Sequence, residues 1–148
     1  MSPCGNEAPG TLPSGCVNST GKEAFLGPIG SLSVATDDLV LSAFNLPPGA
    51  STILLLGGGA KHMPFGDGIL CVSAGAKGLY RYAPQKAGPT GAVASGPSLV
   101  KQGMASFPST GWIHAGETWY FQRWYRDPLG PCGSGFNLTN GLGLTFVP

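Results

Sequence analysis

Glycine and proline interrupt this chain so often that no stretch of about eleven residues carries apolar residues at helical spacing without one of them. The chain has 148 residues, with 25 glycines and 14 prolines. Together these make about a quarter of the chain, a proportion also found in low-complexity polymers. Here, however, they fall between short apolar runs and act as turn punctuation. Residues 24–26 end at Gly27-Pro28, and 31–35 alternates before stopping at Thr36-Asp37-Asp38. Residues 39–44 end at Asn45-Leu46-Pro47-Pro48-Gly49, and 53–56 is apolar throughout, as in a strand buried on both faces. Residues 57–68 are expected to be a loop, followed by strands at 69–72 and 79–82 and weaker ones at 92–94 and 99–100. Strands at 118–126 and 142–147 close the chain. Short strands spaced by turn chemistry indicate a sandwich or barrel. The expectation is all-β with little or no helix: one β-sandwich over 21–148, immunoglobulin/fibronectin type III-like or jelly-roll-like, preceded by an extended Gly/Pro-rich arm over 1–20.

The aromatic run 119–125 marks a central strand. Period two puts Trp119, Phe121, Arg123 and Tyr125 on one face and Tyr120, Gln122, Trp124 and Arg126 on the other. Neither set is wholly apolar, which predicts mixed burial and leaves room for a bulge that re-phases the strand. A Gly116-Glu117-Thr118 turn feeds this strand, similar to the corner of immunoglobulin-like sandwiches where an aromatic bonds back to the turn.

A net charge of +1 with no Lys/Arg cluster excludes a nucleic-acid surface. The longest apolar run falls far short of the ~20 residues of a membrane-spanning helix. The chain begins without the basic and apolar regions of a signal peptide, as expected of a cytosolic protein or of a mature exported one. The four cysteines, Cys4, Cys16, Cys71 and Cys132, form no CxxC pair, and His62 and His114 lack zinc spacing. They read as two disulfides and therefore as an extracellular or cell-surface protein. Three pairings are open. Cys4–Cys16 closing a local loop with Cys71–Cys132 tying two strands is the one favoured, and four free thiols are the alternative.

Several stretches carry a closer likeness: Pro64-Phe65-Gly66-Asp67-Gly68-Ile69-Leu70-Cys71-Val72, Tyr80-Arg81, Ala115-Gly116-Glu117-Thr118-Trp119, Phe121-Gln122-Arg123-Trp124-Tyr125-Arg126-Asp127-Pro128 and Phe136-Asn137-Leu138-Thr139. With Gly15-Cys16 and Asn18-Ser19-Thr20-Gly21, the pattern resembles an uncharacterised family of β-rich domains in secreted and cell-surface proteins of environmental bacteria. The resemblance implies export and a surface module. It brings no established activity, so no functional residue is carried over.

No motif calls for a cofactor or a metal. Asp37-Asp38 has oxygen ligands for Ca²⁺, but Asp favours ordinary turns. There is no G-x-S-x-G elbow and no phosphate loop. Glu117 and Asp127 would lie roughly 33 Å apart along an extended strand, too far for a glycosidase pair. Asp67 with Asp127 is geometrically possible and nothing more. The sequons Asn18-Ser19-Thr20 and Asn137-Leu138-Thr139 are expected to stay bare in a bacterial product.

The functional lead is the aromatic run. In one reading its large rings are core and Arg126-Asp127 is a structural anchor, with Arg81 a candidate partner. In the other, Trp112, Trp124 or Tyr125 forms a flat platform for sugar rings, with Gln122, Arg126 and Asp127 supplying directional hydrogen bonds. The expected function is a non-catalytic extracellular binding or surface-attachment module, with a glycan or cell-envelope component as ligand. The alternative is a self-associating structural subunit whose arm adds a strand to a neighbour. A small hydrolase ranks last.

Overall fold

Strand β9 (Thr118–Asp127) organises the protein. The computed structural model, which covers residues 1–148, places β3 (Ser51–Gly57) antiparallel along one side of it, with Thr52 opposite Tyr125 and Gly57 opposite Tyr120. On the other side lie two short strands in line, β10 (Gly135–Leu138) against the far half and β11 (Leu142–Thr145) against the near half. Beyond β3, β6 (Leu79–Arg81) and β7 (Gln85–Lys86) complete a six-stranded sheet. A second sheet has the order β1 (Phe25–Ile29), β2 (Val40–Phe44) and β8 (Val93–Ser95). A hairpin of β4 (Gly59–Phe65) and β5 (Gly68–Ser73) forms a third sheet. The protein is all-β with a single short helix, and its antiparallel sheets pack as a sandwich. No helix is long and apolar enough to cross a membrane.

The alternation of β9 is kept along its whole length. Trp119, Phe121 and Tyr125 point inward and join Leu54 and Leu56 of β3 with Leu26, Leu41 and Ala43 of the small sheet in one core. Each large side chain buried there contributes about 1.5–3 kcal/mol from water exclusion. Arg123 keeps its phase and is fully buried in the same layer. The irregularity lies on the partner side: Leu138 faces Trp124 and Leu142 faces Phe121, one residue more than β9 spends. Thr139 fills the gap, its hydroxyl accepting from the Arg123 N–H at 3.0 Å. Asn140 of the same bulge bonds both backbone groups of Leu26, joining the edge of β1 to the large sheet.

Polar residues of β9 tie the layers together. Arg123 donates to Thr52 Oγ1 (3.1 Å), and across the sandwich to Ser95 Oγ of β8 (2.6 Å). Outward, Gln122 accepts from the Cys71 N–H and donates to Ile69 O and Thr139 O, anchoring the hairpin. At the end of β9, Asp127 accepts from the Ser19 N–H.

Several expectations change. Residues 57–68 hold β4 rather than a loop, and the Gly66-Asp67 turn closes a hairpin with Phe65 opposite Gly68. Residues 31–35 form a turn whose Ser33 bridges Val147 in parallel, not a strand. Residues 99–100 begin helix α1 (Leu99–Ser106). Its first amides are capped from a distance, with Val100 and Lys101 donating to the Asp37 carboxylate at 3.0 Å each. Asp38 holds Ser31 through its backbone N–H and hydroxyl, so both acids serve turns and caps. Within residues 1–20, Ser2, Asn6, Cys16 and Asn18 are buried, while residues 9–13 are exposed. Strand β9 is followed by two further strands.

Removing the Arg123 side chain strips the contact between the sheets and leaves a cavity. Arg123→Ala is expected to cost about 3–5 kcal/mol in urea unfolding. A cost below about 1 kcal/mol would mean that the guanidinium does not tie the layers. Alkaline pH gives a second expectation. Burial pushes the Tyr82 and Tyr125 phenols well above the usual tyrosine range. Unfolded tyrosine ionises near pH 10, so above about that pH the unfolded state releases protons first and stability falls. Burial lowers Arg123 to about 10, and because the unfolded guanidinium holds its proton longer, this group adds stability over the same interval. Two phenols outweigh one guanidinium, so unfolding free energy should drop between about pH 9.5 and 11. Tyr82→Phe should flatten that drop, and an unchanged slope would contradict the assignment.

Candidate functional site

The outward face of β9 is covered only in part. The hairpin lies over Tyr120 and Gln122, where Leu55, Val72 and Leu138 form a small second core. Toward Trp124 it stands off, leaving a cleft of about 290 Å³ lined by Ile53, Leu55, Phe65, Leu70, Leu79, Arg81 and Trp124. The register explains the lining. Ile53 lies opposite Trp124 and Leu55 opposite both Gln122 and Arg81, so β3, β6 and β9 present one apolar floor. Phe65 and Leu70 of the hairpin form the wall.

Trp124 is half-buried and held on its other sides. The Phe136 ring packs against it with centroids 5.8 Å apart, and Phe136 in turn meets Phe65 edge-on at 4.9 Å. The exposed Arg126 guanidinium sits over the indole, 5.4 Å from its centroid. Arg81 is the only charged residue of the lining. The protein's one salt bridge joins His114 and Glu117, so neither Arg81 nor Arg126 is neutralised by a carboxylate.

The expected sugar platform is only partly assembled. Trp124 lines the cleft, and Arg126 packs over its indole without lining the cleft itself. Trp112 does not line it and instead donates its indole N–H to Phe107 O at 2.9 Å. Tyr125 is fully buried, its hydroxyl accepting from Asn18 Nδ2, and cannot stack on a ligand. Gln122 is buried and its carboxamide is consumed by the hairpin and the Thr139 bulge. Asp127 is buried under residue 19, with no ion pair to Arg126 or Arg81. Sequence reasoning missed Phe65 because 57–68 reads as a glycine-rich loop, while Leu70 and Leu79 fall on expected strands with no sequence signal that they share a cleft with Trp124. The Gly66-Asp67 pair ahead of the apolar run 69–72 was the hairpin signal that could have exposed Phe65.

The cysteines also need correction. Cys4 is bonded to Cys132, with Cα atoms 5.6 Å apart, while Cys16 and Cys71 are free. Neither the Cys4–Cys16 nor the Cys71–Cys132 bridge is present. Cys132 sits in the loop after β9, where its N–H donates to Asp67, and that loop meets the N-terminal segment. Cys71 faces Gly141, where a Cβ would lie only 2.6 Å from its own Cβ. Cys16 is buried against the Ser2 hydroxyl. Burial pushes both thiols up, so neither is poised as a nucleophile.

Groups able to do acid–base work are dispersed. His62 is exposed on β4. His114 is exposed and paired to Glu117 at 3.5 Å. Burial alone would raise the Glu117 carboxyl, but the Trp119 indole N–H at 2.8 Å, the His114 N–H and the nearby Lys77 charge outweigh it and hold the group low. That indole bond also makes Trp119 the aromatic that bonds back to the turn. No group of three or more His, Cys, Asp or Glu side chains converges on a metal position. Asn18 and Asn137, the sequon asparagines, are both buried. No family model, curated protein or solved structure significantly matches the chain.

Alkylation without reductant in denaturant should label two cysteines, Cys16 and Cys71, and labelling after reduction should add Cys4 and Cys132. Four labels without reductant, or none, would contradict the assigned bridge. Reduction should lower stability by about 2–4 kcal/mol, because the bridge closes a loop through most of the chain.

Proposed function

We propose that the protein is a non-catalytic extracellular binding module whose ligand seats in the cleft beside Trp124. The single observation behind this reading is an open apolar cleft with one aromatic wall and one unpaired cation. Apolar lining with few polar groups is the usual character of a small-ligand site. Its residues favour a ligand with an apolar or aromatic body and one anionic group, the body against Trp124 and Leu70 and the anion toward Arg81. A neutral sugar is less well served. Gln122 and Asp127 are committed inside the fold, and hydroxyls placed against six apolar side chains would lose water without gaining partners. A glycan suits the cleft best if it bears a carboxylate.

The disulfide supports the extracellular setting. Against a hydrolase stand two exposed histidines far apart in the sequence, two thiols with raised pKa, and a buried Asp67–Asp127 pair that no substrate reaches. Strand addition by residues 1–20 is the weaker reading, because the Cys4–Cys132 bridge and the buried Asn6, Cys16 and Asn18 tie the segment to its own chain and leave residues 9–13 as its longest exposed stretch.

The test is a tryptophan-fluorescence titration with three probes: decanoate, an oligogalacturonate and a neutral cello-oligosaccharide. Decanoate should bind most tightly and the neutral sugar least. Arg81→Gln should weaken decanoate about tenfold, the equivalent of one charge-assisted hydrogen bond. Trp124→Ala should abolish binding while leaving the fold intact by circular dichroism. Saturable binding of the neutral sugar alone would overturn the ligand class. Failure of all three probes, or tight binding retained by Trp124→Ala, would overturn the cleft as the site.

A further inference from the structure

Away from the cleft, two carboxylates lie buried against one another with no cation beside them. Asp67, in the hairpin turn, and Asp127, at the end of β9, are both 0% exposed. A Cβ on Gly130 would collide with Oδ2 of Asp67 and stand 3.0 Å from Oδ2 of Asp127. The two Oδ2 atoms therefore lie about 5 Å apart or less, where buried like charges repel strongly. The protein's one salt bridge is elsewhere, between His114 and Glu117.

Hydrogen bonds satisfy this pair unevenly. Asp67 Oδ1 accepts from the Ser134 N–H and hydroxyl, and its Oδ2 from the Cys132 N–H. Asp127 Oδ2 accepts from the Ser19 N–H, but its Oδ1 is buried with no donor. Asn6 packs against the same turn, its Nδ2 donating to Asp67 O at 2.8 Å and to Val17 O at 2.9 Å. Its Oδ1 is likewise buried with no donor. Only three buried side-chain polar atoms in the protein lack a partner, and these are two of them. An orphaned buried oxygen is costly, and a carboxylate more so than an amide.

We propose that Asp67, Asp127 and Asn6 hold one hard divalent cation, Ca²⁺, between the N-terminal segment and the loop after β9. Oxygen-only donors with two negative charges suit Ca²⁺, whose flexible shell takes waters for the remaining positions. Mg²⁺, which demands stricter octahedral geometry, suits three donors from separate segments less well. The ion gives both orphaned oxygens a partner and offsets the repulsion of the carboxylates. It also clips residues 1–19 to the domain beside the Cys4–Cys132 bridge. This assignment is independent of the cleft.

The experiment uses the full oxidised chain after treatment with EGTA. Tb³⁺, a Ca²⁺ surrogate sensitised by nearby tyrosine, is the probe, since Tyr125 lies within Coulomb range of both carboxylates. Emission should saturate at about one ion per chain and be displaced by Ca²⁺, and Ca²⁺ at about 100 times its Kd should raise Tm on the order of 5–10 °C. Asp127→Asn should lose both effects, and Asp38→Asn, at an exposed turn, should keep them. If Asp127→Asn fails to fold, the wild-type titration decides alone. No saturable emission with no Ca²⁺-dependent Tm shift overturns the proposal. So does an Asp127→Asn protein that binds Tb³⁺ as the wild type does.

Discussion

A guanidinium buried between two sheets with no carboxylate partner is the constraint on which much of this structure depends. A charge removed from water must be solvated by the protein itself, at several kcal/mol if it is not. Arg123 finds its partners in Thr52 on β3 and Ser95 on β8, with Gln85 of β7 at 3.5 Å. Those acceptors come from separate strands of both sheets, so they can converge only if the layers sit at one spacing and one register. The remaining cost is visible in the unpartnered Nε and in the lowering of the group to about 10. Gln122 does for the outer layer what Arg123 does for the inner one.

This double anchoring explains why the strand with mixed polarity on both faces is nevertheless largely buried. From sequence, Arg123 between Phe121 and Tyr125 leaves room for a bulge that re-phases β9. The observed bulge is at Thr139–Asn140 on the neighbouring chain segment, where a hydroxyl and a carboxamide stand in for backbone partners. Such substitutions leave little periodic trace. The alternation of β9, the two-sided burial of Leu54 to Leu56 and the near absence of helix were legible, because each depends on residue pattern alone. Helix α1 was not, since its cap comes from Asp37, more than sixty residues earlier in the chain. Strand β4 was hidden by Gly59 and Pro64, which read as loop punctuation but lie in a hairpin that covers the large sheet. The disulfide was illegible for the same reason as the cap. Cys4 and Cys132 meet only because the N-terminal segment folds back over the loop after β9.

The candidate site follows from the same division of labour. Residues expected to hydrogen-bond a sugar, Gln122 and Asp127, are used instead to hold the hairpin and the N-terminal segment. What the outer face offers is what that framework leaves uncovered: the Trp124 ring, the aliphatic side chains of β3 and the hairpin, and two unpaired arginines. Rigid elements supply the floor and a hairpin supplies the wall, an arrangement suited to selecting ligands by shape and charge. The proposed function thus rests on the half of β9 that the hairpin fails to cover.

Native-state hydrogen exchange tests most directly the claim that β9 is the element around which the rest is assembled. Amides of β9 and β3 should exchange only through global unfolding, with the same free energy as denaturant melts, while those of β4 open at lower free energy. If β9 amides exchange through a local opening cheaper than global unfolding, the central role given to Arg123 and Gln122 is wrong.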